Sequence, residues 1–206
     1  MKVGVIGGTG AFGRALAARW QEAGVEVAIG SRDSSRAKQI AAVVGASGAA
    51  NEEVAREADF VVLAVQSGAA VDTAHELADA IADTPVLCVA SDLRFTKNEV
   101  LPARKEGSVA EDVAVLLGGP VVSGYQALPA AELARPEPPE QDVLVCGDDD
   151  EAKQLALDLG AKLVGGRALD AGPLVNARAL EGMTAVILHV NRRYRVVAGL
   201  RLTGFT

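Results

Sequence analysis

A glycine-rich turn near the start of the chain is the first feature whose residue types and spacing point to chemistry. The segment Gly8-Thr9-Gly10-Ala11-Phe12-Gly13 has the spacing G-x-G-x-x-G, follows an apolar run and precedes a predicted helix. In this context the pattern is typical of dinucleotide sites, where Gly8 permits a tight turn, Gly10 lets the backbone approach a pyrophosphate and Gly13 lets helix and strand pack closely. The helix would also offer free N–H groups and its positive dipole end to the phosphates.

The residues after the second predicted strand indicate which dinucleotide is bound. Sites that prefer NAD place Asp or Glu there to bind the ribose 2′-hydroxyl, whereas this chain has Ser31 and Arg32. Ser31 can donate a hydrogen bond, Arg32 can pair with a phosphate dianion, and Arg36 lies one helical turn later. We interpret Asp33 as the N-cap of the second helix, with its carboxylate directed at backbone rather than at a ribose. The sequence therefore predicts NADP(H).

Short apolar segments alternate with helical segments along most of the chain. The predicted strands are residues 3–6, 25–29, 60–65, 85–90 and 120–123, and the predicted helices are residues 11–23, 33–44, 51–58, 70–82 and 107–117. Asn51 is the expected N-cap of the third helix. This order predicts an α/β fold with a Rossmann-type doubly wound parallel sheet.

A change in composition at residues 134–140 divides the chain. Three prolines and three charged residues in this segment cannot continue a helix or a central strand. We expect an exposed connection between an NADP-binding Rossmann domain, residues 1–134, and a small C-terminal α+β domain, residues 140–206. The second part has predicted strands at 143–146 and 199–202, helices at 149–159 and 173–194, and an extended segment at 163–169.

Bulk composition excludes several classes of function. The formal net charge of −7 argues against a nucleic-acid-binding surface. The chain has no apolar stretch long enough for a signal peptide or a membrane span, which predicts a soluble, cytoplasmic protein. Cys88 and Cys146 lie in apolar runs without metal-ligand spacing, so we expect buried structural thiols and no metal site. His75 and His189 lie among apolar helix residues, and no catalytic side chain is predicted.

Motifs along the whole chain resemble the NADPH-dependent F420 reductases, also called F420H2:NADP oxidoreductases. The segments that carry the resemblance are Gly7 to Gly13, Gly30-Ser31-Arg32, Val145-Cys146-Gly147-Asp148-Asp149, Asp170-Ala171-Gly172-Pro173-Leu174 with Asn176, and Asn191-Arg192-Arg193-Tyr194. The resemblance implies a homodimer in which the Rossmann domain holds NADP(H) and the C-terminal domain closes over the deazaflavin coenzyme F420. Hydride transfer between two stacked rings needs no protein proton donor, which fits the lack of catalytic side chains.

The resemblance also implies individual cofactor contacts in the glycine-rich turn, after the second and third strands of the prediction, and at later positions. In chain order the cofactor-binding residues predicted by motif and resemblance together are Gly8, Thr9, Gly10, Ala11, Phe12, Ser31, Arg32, Arg36, Val65, Gln66, Ser67, Val71, Ala130 and Leu200. Ala130 would lie near the nicotinamide, and Leu200 would contact the deazaflavin. The family often has proline and a bulky aromatic residue where this chain has Gln66 and Ser67, and a proline-containing apolar stretch at residues 90–95.

Two other functions remain open at the level of sequence. The chain could use NADPH to reduce another acceptor, a free flavin or a small carbonyl or imine, although its C-terminal part is too short for the long helical domain of β-hydroxyacid or imine reductases. It could also be a non-catalytic NADP(H) sensor. A basic cluster, Arg192, Arg193, Arg195 and Arg201, could capture the anionic tail of F420 or could simply complement a helix C-terminus.

Overall fold

The computed structural model describes residues 1–97 and 99–205. Its strands are β1 (Lys2–Ile6), β2 (Glu26–Ser31), β3 (Ser47–Ala50), β4 (Phe60–Leu63), β5 (Val86–Cys88), β6 (Leu93–Phe95), β7 (Val100–Pro102), β8 (Val121–Gly124), β9 (Val143–Gly147) and β10 (Ala168–Asp170). Its helices are α1 (Ala11–Glu22), α2 (Ser34–Val44), α3 (Asn51–Glu57), α4 (Ser67–Ile81), α5 (Val109–Leu116), α6 (Ala130–Leu133), α7 (Asp150–Ala161) and α8 (Ala177–Tyr194), with a 3-10 turn at Leu174–Asn176.

Eight of these strands form one sheet in the order β10-β9-β8-β5-β4-β1-β2-β3. Neighbouring strands run parallel except β8 and β9, which are antiparallel. The mostly parallel sheet with flanking helices confirms the Rossmann-type prediction. The C-terminal residues extend this sheet with β9 and β10, so the sheet itself is continuous across the predicted boundary, and the division into residues 1–134 and 140–206 stays a prediction. Strands β6 and β7 form a separate antiparallel hairpin.

Two apolar layers, one on each face of the sheet, form the core. Aliphatic residues fill the buried strands on both faces of the sheet. Two of the few large aromatic side chains pack against each other beside the sheet. Trp20 and Tyr125 pack with their ring centroids 6.4 Å apart. The Trp20 indole donates a hydrogen bond of 2.9 Å to the Leu159 carbonyl, and the Tyr125 hydroxyl donates to the Ala156 carbonyl. These contacts fix α7, a helix of the C-terminal part, against α1.

Residues 134–138 are exposed, as predicted for the connection, but one buried side chain holds their backbone. Arg19 of α1 is only 7% exposed. Its guanidinium donates to the carbonyl oxygens of Leu133 at 2.9 Å, Pro136 at 2.9 Å and Glu137 at 2.7 Å, and to that of Arg135. The connection is therefore fixed to the first helix and does not act as a free linker.

Several local predictions were wrong or incomplete. Asn51 is not an N-cap, because it is already the first helical residue of α3; Ala50 holds the cap position without a side-chain hydrogen bond. Residues 199–202 do not form a strand, because they make only isolated backbone hydrogen bonds; for example, Asp142 N donates to the Leu200 carbonyl at 2.7 Å. Strand β3 escaped prediction because it consists of small residues. A Cβ added at Gly48 would lie 2.5 Å from the Ala37 carbonyl oxygen, so the edge strand needs such residues to pack against α2.

The hairpin β6–β7 and the one-turn helix α6 also escaped prediction. Each hairpin strand has three residues, which is too short for a recognisable alternation. Among the described residues, no helix has both the length and the apolar character needed to cross a membrane.

Candidate nucleotide and acceptor site

A cleft of about 600 Å³ opens at the carboxyl ends of β1, β4, β5 and β8. In the sheet, β2 and β3 lie on one side of β1, and β4, β5 and β8 lie on the other. The cleft therefore lies at the topological switch point, where open α/β sheets bind ligands. Its lining residues are Gly10, Ala11, Phe12, Ala64, Val65, Gln66, Ser67, Gly68, Val89, Ala90, Ser91, Leu93, Phe95, Tyr125, Gln126, Leu128 and Thr184.

The glycine-rich turn passes directly from β1 into α1 at one side of the cleft. Gly7 has a φ of +80°, in the left-handed region. The tight turn therefore lies at Gly7 and not at the predicted Gly8. Gly8 is required instead for packing, because a Cβ there would lie 2.9 Å from Ile29 Cγ2. The close-packing role of Gly13 is confirmed, since its added Cβ would lie 2.8 Å from Gly8 Cα.

The amino end of α1 is open towards the cleft. Gly10 is the N-cap and has no side chain to satisfy the first N–H groups, and a Cβ there would meet the Gly7 carbonyl oxygen at 3.4 Å and nothing else within the described ranges. Gly10, Ala11 and Phe12 line the cleft. This arrangement leaves N–H donors and the positive end of a twelve-residue helix available to an anion.

The end of β2 carries the three residues predicted to bind the 2′-phosphate, Ser31, Arg32 and Arg36. The Asp33 carboxylate accepts hydrogen bonds from Ser35 N at 3.0 Å and Arg36 N at 3.1 Å, which confirms it as the N-cap of α2. The Ser31 hydroxyl oxygen accepts from Asp33 N at 3.2 Å and can still donate. Arg32 and Arg36 are exposed, and within residues 1–97 and 99–205 no hydrogen bond or ion pair engages either guanidinium. Two cations and a hydroxyl thus lie next to the nucleotide turn.

The structure brings part of the predicted set into the cleft and leaves part outside it. Gly10, Ala11, Phe12, Val65, Gln66 and Ser67 line the cleft. Val71 is half-buried on α4 and packs against the core, and Ala130 opens α6, neither of them on the cleft wall. Leu200 lines a small adjoining cavity of about 10 Å³, which shares Tyr125 and Leu128 with the cleft. The other predicted residues outside the cleft lining are Gly8, Thr9, Ser31, Arg32 and Arg36. Nucleotide and deazaflavin contacts stay predictions at every predicted position.

The cleft also contains a row of polar side chains that the sequence did not reveal. Ser91, which follows β5, and Thr184 of α8 share a hydrogen bond of 3.0 Å between their hydroxyl oxygens. The Thr184 hydroxyl lies 3.2 Å from the Gln126 carbonyl oxygen, and Gln126 Nε2 donates to Ser123 Oγ at 2.7 Å. These bonds join the ends of two strands to α8. The backbone next to Gln126 is also unusual, because Tyr125 has a φ of +72°, which is rare for a residue with a side chain.

A buried carboxyl group, Glu181 of α8, lies one helical turn before Thr184. Its Oε1 accepts hydrogen bonds from Val109 N at 2.8 Å and Ala110 N at 3.3 Å, at the amino end of α5. Burial raises the pKa of Glu181 from 4.5 to about 7, against the lowering effect of these two donors and of the charge on Arg104. A carboxyl group with a pKa near neutrality therefore connects α8 to α5.

Glu181 makes the stability of the fold depend on pH. Because its folded pKa lies above its unfolded pKa, the native state holds the proton more tightly, so this stabilisation is complete below pH about 4.5 and is lost as pH rises through about 7. Between pH 5 and pH 8 we expect wild type to lose about 2 kcal/mol of unfolding free energy relative to Glu181→Gln, which keeps the acceptor oxygen without a charge. Urea unfolding of both proteins at the two pH values measures the difference. Identical pH profiles would contradict this assignment.

Two of the arginines near the C-terminus contact different parts of the chain. Arg192, on the last turn of α8, donates a hydrogen bond of 3.5 Å to the Lys97 carbonyl of the β6–β7 hairpin. Arg201 instead pairs with Glu140 at 3.2 Å. Arg193 and Arg195 are exposed at the end of the helix. A common role of these four arginines in capturing an anionic tail stays a prediction.

Cys88 and Cys146 are free and buried, as predicted. Burial raises the pKa of each thiol to about 12, so both stay protonated and unreactive near neutral pH. In the described part of the chain, no three His, Cys, Asp or Glu side chains are grouped so that they could hold a metal ion.

Comparisons with known proteins agree with this geometry. Residues 2–91 match the family described as NADP oxidoreductase, coenzyme F420-dependent. The chain is 35% identical over 226 residues to the F420-dependent NADP reductase of Methanothermobacter thermautotrophicus, with 98% of this chain and 95% of that protein covered. It is 32% identical over 221 residues to the protein of the same name from Methanocaldococcus jannaschii, with 98% of each covered.

Among solved structures, a putative F420-dependent NADP reductase from an Arthrobacter species, strain FB24, has a TM-score of 0.85 to this fold at 23% sequence identity. The match covers 99% of this chain and all of that one, so the two share their fold from end to end. Together with the sequence identities above 30% over almost the full length of both reductases, these comparisons show that the chain belongs to the family of F420-dependent NADP oxidoreductases.

Proposed function

We propose that this protein transfers a hydride between NADP(H) and the deazaflavin coenzyme F420. The observation that carries the proposal is the continuous cleft at the strand ends, which starts at the free amino end of α1 and continues along apolar and aromatic residues of β6 and the loop after β8. Its volume of about 600 Å³ falls in the usual range for small-molecule sites. The relatives reported above carry names that state the same pair of substrates.

The protein's contribution is to bind and orient the two rings. When both are bound, they supply the chemistry themselves, because a hydride passes directly between the nicotinamide C4 and the deazaflavin C5. The amino end of α1 holds the pyrophosphate, and Ser31, Arg32 and Arg36 hold the 2′-phosphate. Val65 and Phe12 provide apolar surface beside the nicotinamide half of the cleft. Placing two carbons about 3–3.5 Å apart can supply most of the rate enhancement without an acid or base.

The proposal predicts the outcome of a simple assay. Purified protein is mixed with NADPH and either oxidised F420 or FMN, and the absorbance of each cofactor is followed. We expect turnover with F420 and little with FMN. Turnover with FMN alone would identify a flavin reductase, and tight NADPH binding without turnover would identify a nucleotide sensor, so either result would overturn the proposal.

We also propose a homodimer that works in the cytoplasm. Met183, Val186 and Tyr194 lie on α8 and expose apolar surface that a second copy can cover. Both cysteines are thiols, which suits a reducing compartment. Sedimentation at micromolar concentration tests the dimer, and cell fractionation tests the location; a monomer, or a protein recovered outside the cytoplasm, would refute the respective proposal.

A further inference from the structure

The β6–β7 hairpin places an aromatic side chain on the cleft wall. Leu93 and Phe95 occupy alternate positions of β6, so they share one face of the hairpin, and both line the cleft. Arg94, between them, belongs to the other face. Neither Leu93 nor Phe95 was among the residues that the motifs predicted.

Three aromatic rings are exposed in the described part of the chain, those of Phe95, Tyr194 and Phe205, and of these only Phe95 lines the cleft. The chain has only seven aromatic residues, and three of them, Trp20, Phe60 and Tyr125, are completely or almost completely buried. The Phe95 ring, in contrast, is 68% exposed while it borders a cleft whose other apolar lining includes Phe12 and Leu128. A bare aromatic ring beside a ligand-sized cleft is suited to stack on a planar ligand.

The hairpin that carries Phe95 is fixed at its base and supported near its turn. Arg104 donates to the carboxylates of Asp92 at 3.1 Å and Asp112 at 2.7 Å, and Ala103 N donates to the Asp92 carbonyl at 2.9 Å. Near the turn, Arg192 of α8 contacts the Lys97 carbonyl. The backbone that carries Phe95 is thus held in place before a ligand binds, which reduces the entropy that binding must overcome.

We propose that Phe95 positions the ring of the acceptor and selects planar, polycyclic acceptors. The proposal rests on the hydride-transfer function proposed above. The Phe95 ring packs against the acceptor ring, and Leu93 extends the same apolar surface. The proposed phosphate sites of the nucleotide lie elsewhere, at the amino end of α1 and the end of β2, and include no residue of β6.

Steady-state kinetics of Phe95→Ala and Phe95→Trp test this role. For Phe95→Ala we expect the KM for F420 to rise about tenfold, as for the loss of one ring contact, while the KM for NADPH stays unchanged. Phe95→Trp keeps a flat aromatic surface and should restore the KM for F420. Quenching of F420 fluorescence on binding, measured without NADPH, should show the same order of affinities.

The matched control is Phe205→Ala. Phe205 is also exposed, at 58%, but its ring lies against the Arg167 guanidinium at 3.9 Å and does not line the cleft. This variant should keep the wild-type KM for F420. An unchanged KM in Phe95→Ala, or equal losses in both variants, would overturn the role of Phe95 while the wild-type enzyme still turns over F420. A wild type that neither binds nor reduces F420 would overturn the proposed function, and this inference with it.

Discussion

Replacing Arg32 with aspartate is expected to weaken NADPH binding about 100-fold while NADH binding changes little, because a charged hydrogen bond to the 2′-phosphate is lost and a repulsive charge takes its place. The structure leaves the Arg32 guanidinium exposed next to Ser31 and commits the nearby Asp33 carboxylate to the backbone of α2. The residues proposed to meet the ribose are therefore exposed cations, while Asp33 caps α2. Titration of both nucleotides by protein fluorescence measures the two affinities.

Lys162→Asp provides the control for Arg32→Asp. It makes the same change in net charge at an exposed position just after α7, and α7 contributes no residue to the cleft. Its affinity for NADPH should stay within about twofold of wild type, since Lys162 does not line the cleft and salt screens interactions between exposed charges. Equal losses of NADPH and NADH affinity in Arg32→Asp would contradict the 2′-phosphate role.

Replacing Arg19 with methionine is expected to cause a large loss of stability. The methionine fills most of the same space but leaves the carbonyl oxygens of residues 133 and 135–137 without their shared donor. Water can reach part of this exposed connection, so we expect a loss of about 3 kcal/mol rather than the sum of four buried bonds. For a chain of this size the loss corresponds to a decrease in Tm of about 6–12 °C. Thermal unfolding followed by circular dichroism measures it.

Arg135→Met is the matched control for Arg19→Met. The Arg135 side chain is on the surface and pairs with Glu132 three residues earlier, an interaction worth little in water. We expect its Tm to stay within about 2 °C of wild type, as for ordinary surface substitutions. If the two variants lost equal stability, the buried guanidinium of Arg19 would not be what fixes the connection.

Features encoded by neighbouring residues could be predicted from the sequence. The cap at Asp33, the packing role of Gly13 and the alternation of strands and helices each depend on residues close together in the chain, and each is found in the structure. The tight turn was predicted at Gly8 but lies at Gly7, because the pattern G-x-G-x-x-G does not show which glycine has the positive φ.

Features that depend on distant pairing could not be predicted in this way. Arg19 finds its acceptors 114 to 118 residues away, and Ser91 meets Thr184 across 93 residues. No local pattern distinguishes Arg19 from the other arginines of the chain. Phe95 was missed for a related reason: it belongs to a three-residue strand whose partner strand is equally short.

The antiparallel direction of β9 determines at which edge of the sheet the C-terminal residues lie. Strand β1 starts at the edge of the sheet away from the cleft, so a fusion placed before Met1 would extend from that far side. Because β9 runs against β8, its first residues lie at the same edge as the cleft, and there Asp142 binds the backbone of Leu202. The described residues of the C-terminal end next to Asp142 therefore lie on the side where ligands enter, which makes the amino terminus the better attachment point for a purification tag.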